Sequence, residues 1–98
     1  MSEKNMVLNV TYKAKPGHRE AFVAAVVEQG ILAKIRAEEG CLQYEYFAAL
    51  EDADKLFLVE RWANETVLRA HMQAPHMADL QKVKEEHVLD SKFECFNP

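Results

Sequence analysis

Four short segments of the chain have the pattern of hydrophobic and polar residues that is typical of β-strands. In the first of them Leu8 and Val10 fall on one side, and Asn9 and Thr11 fall on the other. The predicted strands are residues 7–14, 41–48, 55–62 and 88–96. A short polar link at residues 50–54 joins the second strand to the third, which predicts an antiparallel hairpin.

Between the strands, apolar side chains recur at steps of three and four, as they do on one face of a helix. The first helical segment covers residues 18–39; Gly30 is expected to weaken it and Gly40 to end it. The second segment begins after Asn64, whose side chain can accept a free backbone amide. Pro75 interrupts it, and it resumes from residue 76 to about residue 86.

The order strand, helix, strand, strand, helix, strand predicts the fold class. Two right-handed crossovers that share one sheet give an α+β, ferredoxin-like split βαβ arrangement with an antiparallel sheet and both helical segments on one face. At 98 residues and 49% apolar composition, the chain has room for one domain, residues 1–98.

The other face of such a sheet would be bare. We expect aromatic residues such as Tyr44, Tyr46 and Phe47 there, which favours a homodimer that buries this face.

Charge and composition exclude several classes of partner. The net charge is −4 and no run of lysine or arginine is present, so nucleic acid is not expected as a partner. No apolar run approaches the roughly 20 residues that cross a bilayer, and no secretory leader is recognisable, so we expect no membrane span and a cytoplasmic location. Cys41 and Cys95 fall on strands that this topology places at opposite edges, which argues against a disulfide within one chain.

Candidate chemistry concentrates in residues 56–80. Glu60 and Trp62 share one face of the third strand, and burial would raise the pKa of the Glu60 carboxyl toward the range of acid–base catalysis. Pairing of Glu60 with a neighbouring lysine or arginine is the alternative. Trp62 is either a core residue or a flat wall for an aromatic ring.

Histidines and one amide complete the candidate set. His71 shares a helix face with Val67 and Leu68, so it points toward the sheet, where it can take a proton from an enol or a phenol. His76 either contributes to the site or only caps the preceding segment, and Asn9 either holds an oxyanion or makes an edge hydrogen bond. Neither HxxxH nor HExxH spacing is present, so no metal site is expected.

Several short motifs occur along the chain in a definite order. They are Lys15-Pro16-Gly17, Glu39-Gly40-Cys41 with Tyr44, Glu60-Arg61-Trp62, Ala70-His71 and Pro75-His76-Met77. Together they resemble the antibiotic biosynthesis monooxygenase domain family over nearly the whole chain.

The resemblance implies a dimeric α/β barrel whose subunits hold a pocket between sheet and helices. It also implies oxidation of a small aromatic or quinol substrate without metal, flavin or haem, so that no cofactor is expected. In that scheme His71 carries out the proton transfer, Trp62 stacks on the aromatic ring of the substrate, and Asn9 binds the oxygen. Glu60 is the further acid–base candidate, and Tyr44 and His76 are further candidates for substrate contact.

Residues 71–77 look most like the quinol monooxygenase branch of that family. A second branch isomerises phosphorylated autoinducer-2, and there His71 and Glu60 would shuttle a proton; Trp62 favours the quinol-like branch, since the isomerases tend to carry tyrosine. A haem-degrading branch needs a tryptophan near position 71 and a histidine near Gln81, which this chain lacks. The third alternative is a non-catalytic dimer that binds a hydrophobic ligand.

Overall fold

A computed structural model describes residues 5–97 of the chain. Its strands are β1 (Met6–Ala14), β2 (Cys41–Ala48), β3 (Lys55–Trp62) and β4 (Val88–Phe96). Its helices are α1 (Arg19–Glu28), α2 (Ile31–Arg36), α3 (Glu65–Met72) and α4 (His76–His87). The strand predictions are confirmed, with β1 beginning one residue earlier than expected.

The sheet has the order β2-β3-β1-β4, and each neighbouring pair is antiparallel. This is the predicted α+β, ferredoxin-like arrangement. Cys41 on β2 and Cys95 on β4 lie on opposite edge strands, as expected, and both are free thiols.

The long first helix of the prediction is two helices. Gly30 separates α1 from α2 with a backbone φ of 76°, a left-handed conformation that glycine adopts without steric cost. The start of α3 is confirmed in detail, since Asn64 Oδ1 accepts the amide of Val67 at 2.9 Å. Pro75 precedes α4, as expected.

The helices cover one face of the sheet, and the core lies between them. Trp62, Phe22, Leu58 and the isoleucines of α2 are almost fully buried there. Among the residues described, no helix is long and apolar enough to cross a membrane.

The prediction that Tyr44 and Tyr46 lie on the bare face was wrong. Tyr44 pairs with Glu60 and Tyr46 with Leu58, so both tyrosines point toward the helices. Phe47 pairs with Phe57 on the bare face, where both are partly exposed, at 43% and 38%. Side chains alternate along a strand, and therefore Phe47 cannot share a face with either tyrosine.

Gly40 brings the start of β2 close to α3. Its φ is 80°, and a Cβ at this position would lie 2.6 Å from Val67 Cγ2. Gly40 also accepts the backbone amide of Ala63 at 2.8 Å. The approach holds the turn between α2 and β2, which carries Glu38, beside α3.

Candidate active site

Glu60 and Trp62 form a buried polar pair on β3. Their side chains share the helix-covered face, and Trp62 Nε1 donates to Glu60 Oε1 at 3.0 Å. Burial raises the pKa of the Glu60 carboxyl, while the hydrogen bond from Trp62 and the nearby His71 oppose this rise. Glu60 is therefore a better proton donor near neutral pH than an exposed glutamate would be.

His71 lies against this pair from the inner face of α3. The residue is 3% exposed, and its ring stacks on Trp62 with 4.3 Å between ring centroids and 31° between ring planes. Tyr44 contacts the same imidazole edge-on at 5.9 Å. Packing on two sides leaves His71 little rotational freedom, and its Nε2 lies 3.7 Å from Glu60 Oε1.

Glu38 connects two histidines. Its Oε2 lies 2.8 Å from His71 Nδ1 and 2.8 Å from His76 Nε2. A carboxylate oxygen only accepts, so each histidine donates through the nitrogen named. With its hydrogen on Nδ1, neutral His71 has a free lone pair on Nε2, the nitrogen that faces Glu60.

A cavity of about 300 Å³ opens next to Glu60 and His71, between the sheet and helices α3 and α4. Most of its lining is apolar and comes from both layers. The polar groups among its lining residues are Glu60, His71, Tyr12, Lys84 and Ser91. A pocket with apolar walls and a few titratable groups is the usual form of a small-molecule site.

This arrangement can move a proton. His71 Nε2 is an acceptor and Glu60 is a potential donor, and both line the same cavity. The Glu38 carboxylate stabilises the imidazolium that forms when His71 takes a proton, as the buried carboxylate does in other histidine-based sites.

A family model for antibiotic biosynthesis monooxygenases matches residues 5–83 of the chain. The chain belongs to the antibiotic biosynthesis monooxygenase family. The resemblance inferred from the motifs is thereby confirmed.

Individual relatives agree with this family. The Bacillus subtilis protein named "Putative monooxygenase YcnE" is 31% identical over 71 residues, which is 72% of this chain and 73% of that protein. The solved structure of PA3566 from Pseudomonas aeruginosa has a TM-score of 0.86 and 26% identity, and covers 100% of this chain and 97% of that chain. A Bacteroides thetaiotaomicron structure described as a possible oxidoreductase has a TM-score of 0.86 and 29% identity. The match covers 99% of this chain and 100% of that chain.

Not every predicted site residue of this family member reaches the cavity. Glu60 and His71 line it. Trp62 is 0% exposed and lies behind His71, Tyr44 packs against the edge of the same ring, and His76 binds Glu38. In this geometry these three support His71 and lie outside the cavity lining, so direct substrate contact by them is not favoured.

The placement of Asn9 in the site was wrong. Asn9 pairs with Val59 and Glu94 and is exposed, whereas its neighbour Leu8 pairs with Glu60 and lines the cavity. Alternation along β1 therefore directs the Asn9 amide to the bare face of the sheet.

Glu38 and Lys84 were not among the predicted site residues. Glu38 lies in a turn, where no periodicity distinguishes it from Glu39. Lys84 follows Val83 on α4, and only the inward direction of that helix turn indicates that its side chain can reach the cavity.

Glu38, His71 and His76 are also the residues that can hold a metal ion. Their ligand atoms lie within 4.8 Å of one another, although no metal was expected from the sequence. Two histidines and one carboxylate are a known donor set for divalent transition metals. The 2.8 Å separations are ordinary hydrogen-bond distances, which the three groups satisfy among themselves.

Proposed function

We propose that this protein is a cofactor-independent monooxygenase that oxidises a small quinol or other electron-rich phenol. The observation that carries the proposal is the orientation of His71 by Glu38, with Nε2 directed toward Glu60 beside the cavity. Membership of the monooxygenase family and the name of the Bacillus relative support the same class of reaction.

In the proposed reaction, His71 Nε2 accepts a proton from the substrate hydroxyl, and the resulting phenolate reacts with oxygen. The substrate itself supplies the electrons: a quinol and O₂ give a hydroxyquinone and water. One oxygen atom enters the ring, the other leaves as water, and the ring is oxidised by four electrons. Glu60 can donate a proton to the oxygen atom that leaves as water.

The size of the cavity indicates the size of the substrate. A volume of about 300 Å³ lies at the lower end of the range of about 300–1,000 Å³ for ligand pockets. A molecule with one aromatic ring therefore fits better than a polycyclic one.

The test is oxygen uptake with a substituted hydroquinone in buffer treated with a chelator. We expect wild-type turnover without added metal, and a loss of at least about 100-fold in His71→Asn, which keeps a donor near the Nδ1 position but removes Nε2. Gln73→Ala, at an exposed position just beyond α3, is the matched control. Equal rates in wild type and His71→Asn would remove His71 from the mechanism.

An isomerase of a phosphorylated hydroxy-dione is the second candidate, because Glu60 and His71 also suit proton transfer next to a carbonyl. Among the residues that line this cavity only one, Lys84, is a lysine or arginine, which is few for the binding of a phosphate dianion. Arg61 is exposed on the bare face, and Arg69 pairs with Glu65 on the surface of α3. Deuterium uptake from solvent into the dione distinguishes the two reactions.

The proposal includes a homodimer formed through the bare face of the sheet. Phe47, Phe57 and Phe96 are exposed on that face at 43%, 38% and 45%. Phe47 and Phe57 are adjacent across β2 and β3, and Phe96 lies farther along the same face of the sheet; exposed aromatic side chains of this kind are often covered by a second subunit.

A further inference from the structure

Lys84 brings a positive charge to the cavity. It lies on α4, its side chain is half-buried, and it lines the cavity together with Glu60 and His71. Its Nζ lies 5.5 Å from the centre of the Tyr12 ring, at a distance typical of a cation–π contact. Among residues 5–97, no carboxylate forms an ion pair with this ammonium.

Several titratable side chains lie near Lys84. Tyr12 on β1, Glu60 on β3 and His71 on α3 line the same cavity. Glu85 and Asp90 line an adjoining groove that also includes Lys84. Burial lowers the pKa of the Lys84 ammonium, and Glu60 opposes this change only in part.

A half-buried ammonium without an ion-pair partner is costly, because it gives up water and receives no full counter-charge. An anion in the cavity would supply that charge. In this arrangement His71 can remove a proton from a bound hydroxyl group. Lys84 can then stabilise the negative oxygen that results.

We propose that Lys84 binds the ionised hydroxyl oxygen of the substrate, which makes the site selective for phenols and enols that lose a proton on binding. This inference rests on the proposed function and specifies its substrate class. Ethers of the same ring system, which have no ionisable hydroxyl, are excluded as substrates. A charge-assisted hydrogen bond from Lys84 corresponds to about a 10- to 100-fold preference for the phenolate.

The experiment uses 4-nitrophenol, whose ionised form absorbs visible light and whose electron-poor ring resists oxidation. Binding of the phenolate and the apparent pKa of the bound phenol are read from one absorbance titration, without turnover. We expect wild-type protein to lower the pKa of the bound phenol and Lys84→Met to weaken phenolate binding about 10-fold or more. Lys84→Arg, which keeps the charge, is expected to retain most of the binding.

Lys82→Met is the matched control, since Lys82 is exposed on the same helix and does not line the cavity. Thermal unfolding of each variant shows whether the fold is retained. Wild-type phenolate binding by Lys84→Met, or no preference of the wild type for phenolate over phenol, would overturn the inference.

The readout also separates this inference from the proposed function. Phenolate binding that depends on Lys84, together with no oxygen uptake on any quinol, would leave the anion site in place and refute the oxygenase. Oxygen uptake that is equal in wild type and Lys84→Met would leave the oxygenase and refute the role of Lys84.

Discussion

At the scale of single residues, one oxygen atom determines which nitrogen of His71 can act as a base. Glu38 Oε2 accepts from both His71 and His76, so the hydrogen of neutral His71 resides on Nδ1. Since Glu38 does not line the cavity, it acts on the reaction only through His71.

We expect Glu38→Gln to lower kcat by about tenfold or more and to change KM little, because the amide cannot stabilise an imidazolium as a carboxylate does. Steady-state oxygen uptake at several quinol concentrations measures both constants. Glu39→Gln, at the exposed neighbouring position, is the control. A rise in KM at constant kcat would mean that Glu38 shapes substrate binding and does not position His71.

Glu60 is expected to make stability depend on pH. Burial raises the pKa of its carboxyl in the folded state, so the protonated form favours folding. The stability due to this group is present at acid pH and is lost as pH rises through the folded-state pKa. Glu60→Gln removes this dependence, and its amide oxygen can still accept from Trp62.

The melting temperature of Glu60→Gln relative to wild type should therefore increase between about pH 4 and pH 8. Scanning calorimetry of both proteins at each pH measures this difference. Glu45→Gln, at an exposed position of β2, is the control. A difference that stays constant, or falls as pH rises, would show that Glu60 is not destabilised by burial when ionised.

The sequence indicates part of this site for physical reasons that differ by residue. Glu60, Trp62 and His71 follow the regular alternation of a strand or helix, so their shared location is predictable. Glu38 occupies an irregular turn, whose approach to α3 depends on tertiary packing through Gly40. Asn9 was misplaced because Leu8, and not Asn9, is the residue of β1 that pairs with Glu60, so the Asn9 side chain lies on the opposite face of the sheet.

At the scale of elements, Gly30 and Gly40 have similar backbones and different surroundings. Their φ angles are 76° and 80°. No atom lies within 4 Å of a Cβ added at Gly30, whereas a Cβ at Gly40 meets Val67 at 2.6 Å. A larger residue would therefore meet only backbone strain at position 30. At position 40 it would meet both backbone strain and a steric clash with Val67.

We expect Gly30→Ala to cost about 1–2 kcal/mol of unfolding free energy from strain, and Gly40→Ala to cost about 1–3 kcal/mol more from the clash. Urea denaturation measures both values. In a Val67→Ala background, Gly40→Ala should lose the part of its cost that comes from the clash. The part that comes from backbone strain should remain. Equal costs for the two glycine variants would mean that α3 moves aside freely.

The order of elements was predictable because each strand and helix has its own periodicity and its own end signal. The break at Gly30 was predicted only as a weakening, since the apolar stripe continues across it. The faces of Tyr44 and Phe47 follow from residue parity on β2, once the pairing of β2 with β3 is known.

At the scale of the whole molecule, one layer of helices lies on one layer of sheet, and the other side is bare. The described part of the chain measures 46 × 27 × 16 Å. Strand β4 pairs with β1 alone, and its residues after Val88 are all exposed, including Phe93 at 70%. Phe93 lies on the helix side, in the cavity lining, whereas Phe96 of the same strand lies on the bare face, where a second subunit would cover it.

We expect the protein to be a dimer by light scattering coupled to size exclusion, and Phe47→Glu/Phe57→Glu to shift it toward the monomer mass. Two carboxylates on the bare face would have to lose their hydration when the faces meet, and that loss opposes association. Leu50→Glu is the control, because Leu50 is fully exposed in the β2–β3 link and lies outside the sheet. If the wild type is a monomer at micromolar concentration, or if the double variant stays dimeric, the bare face is not the interface.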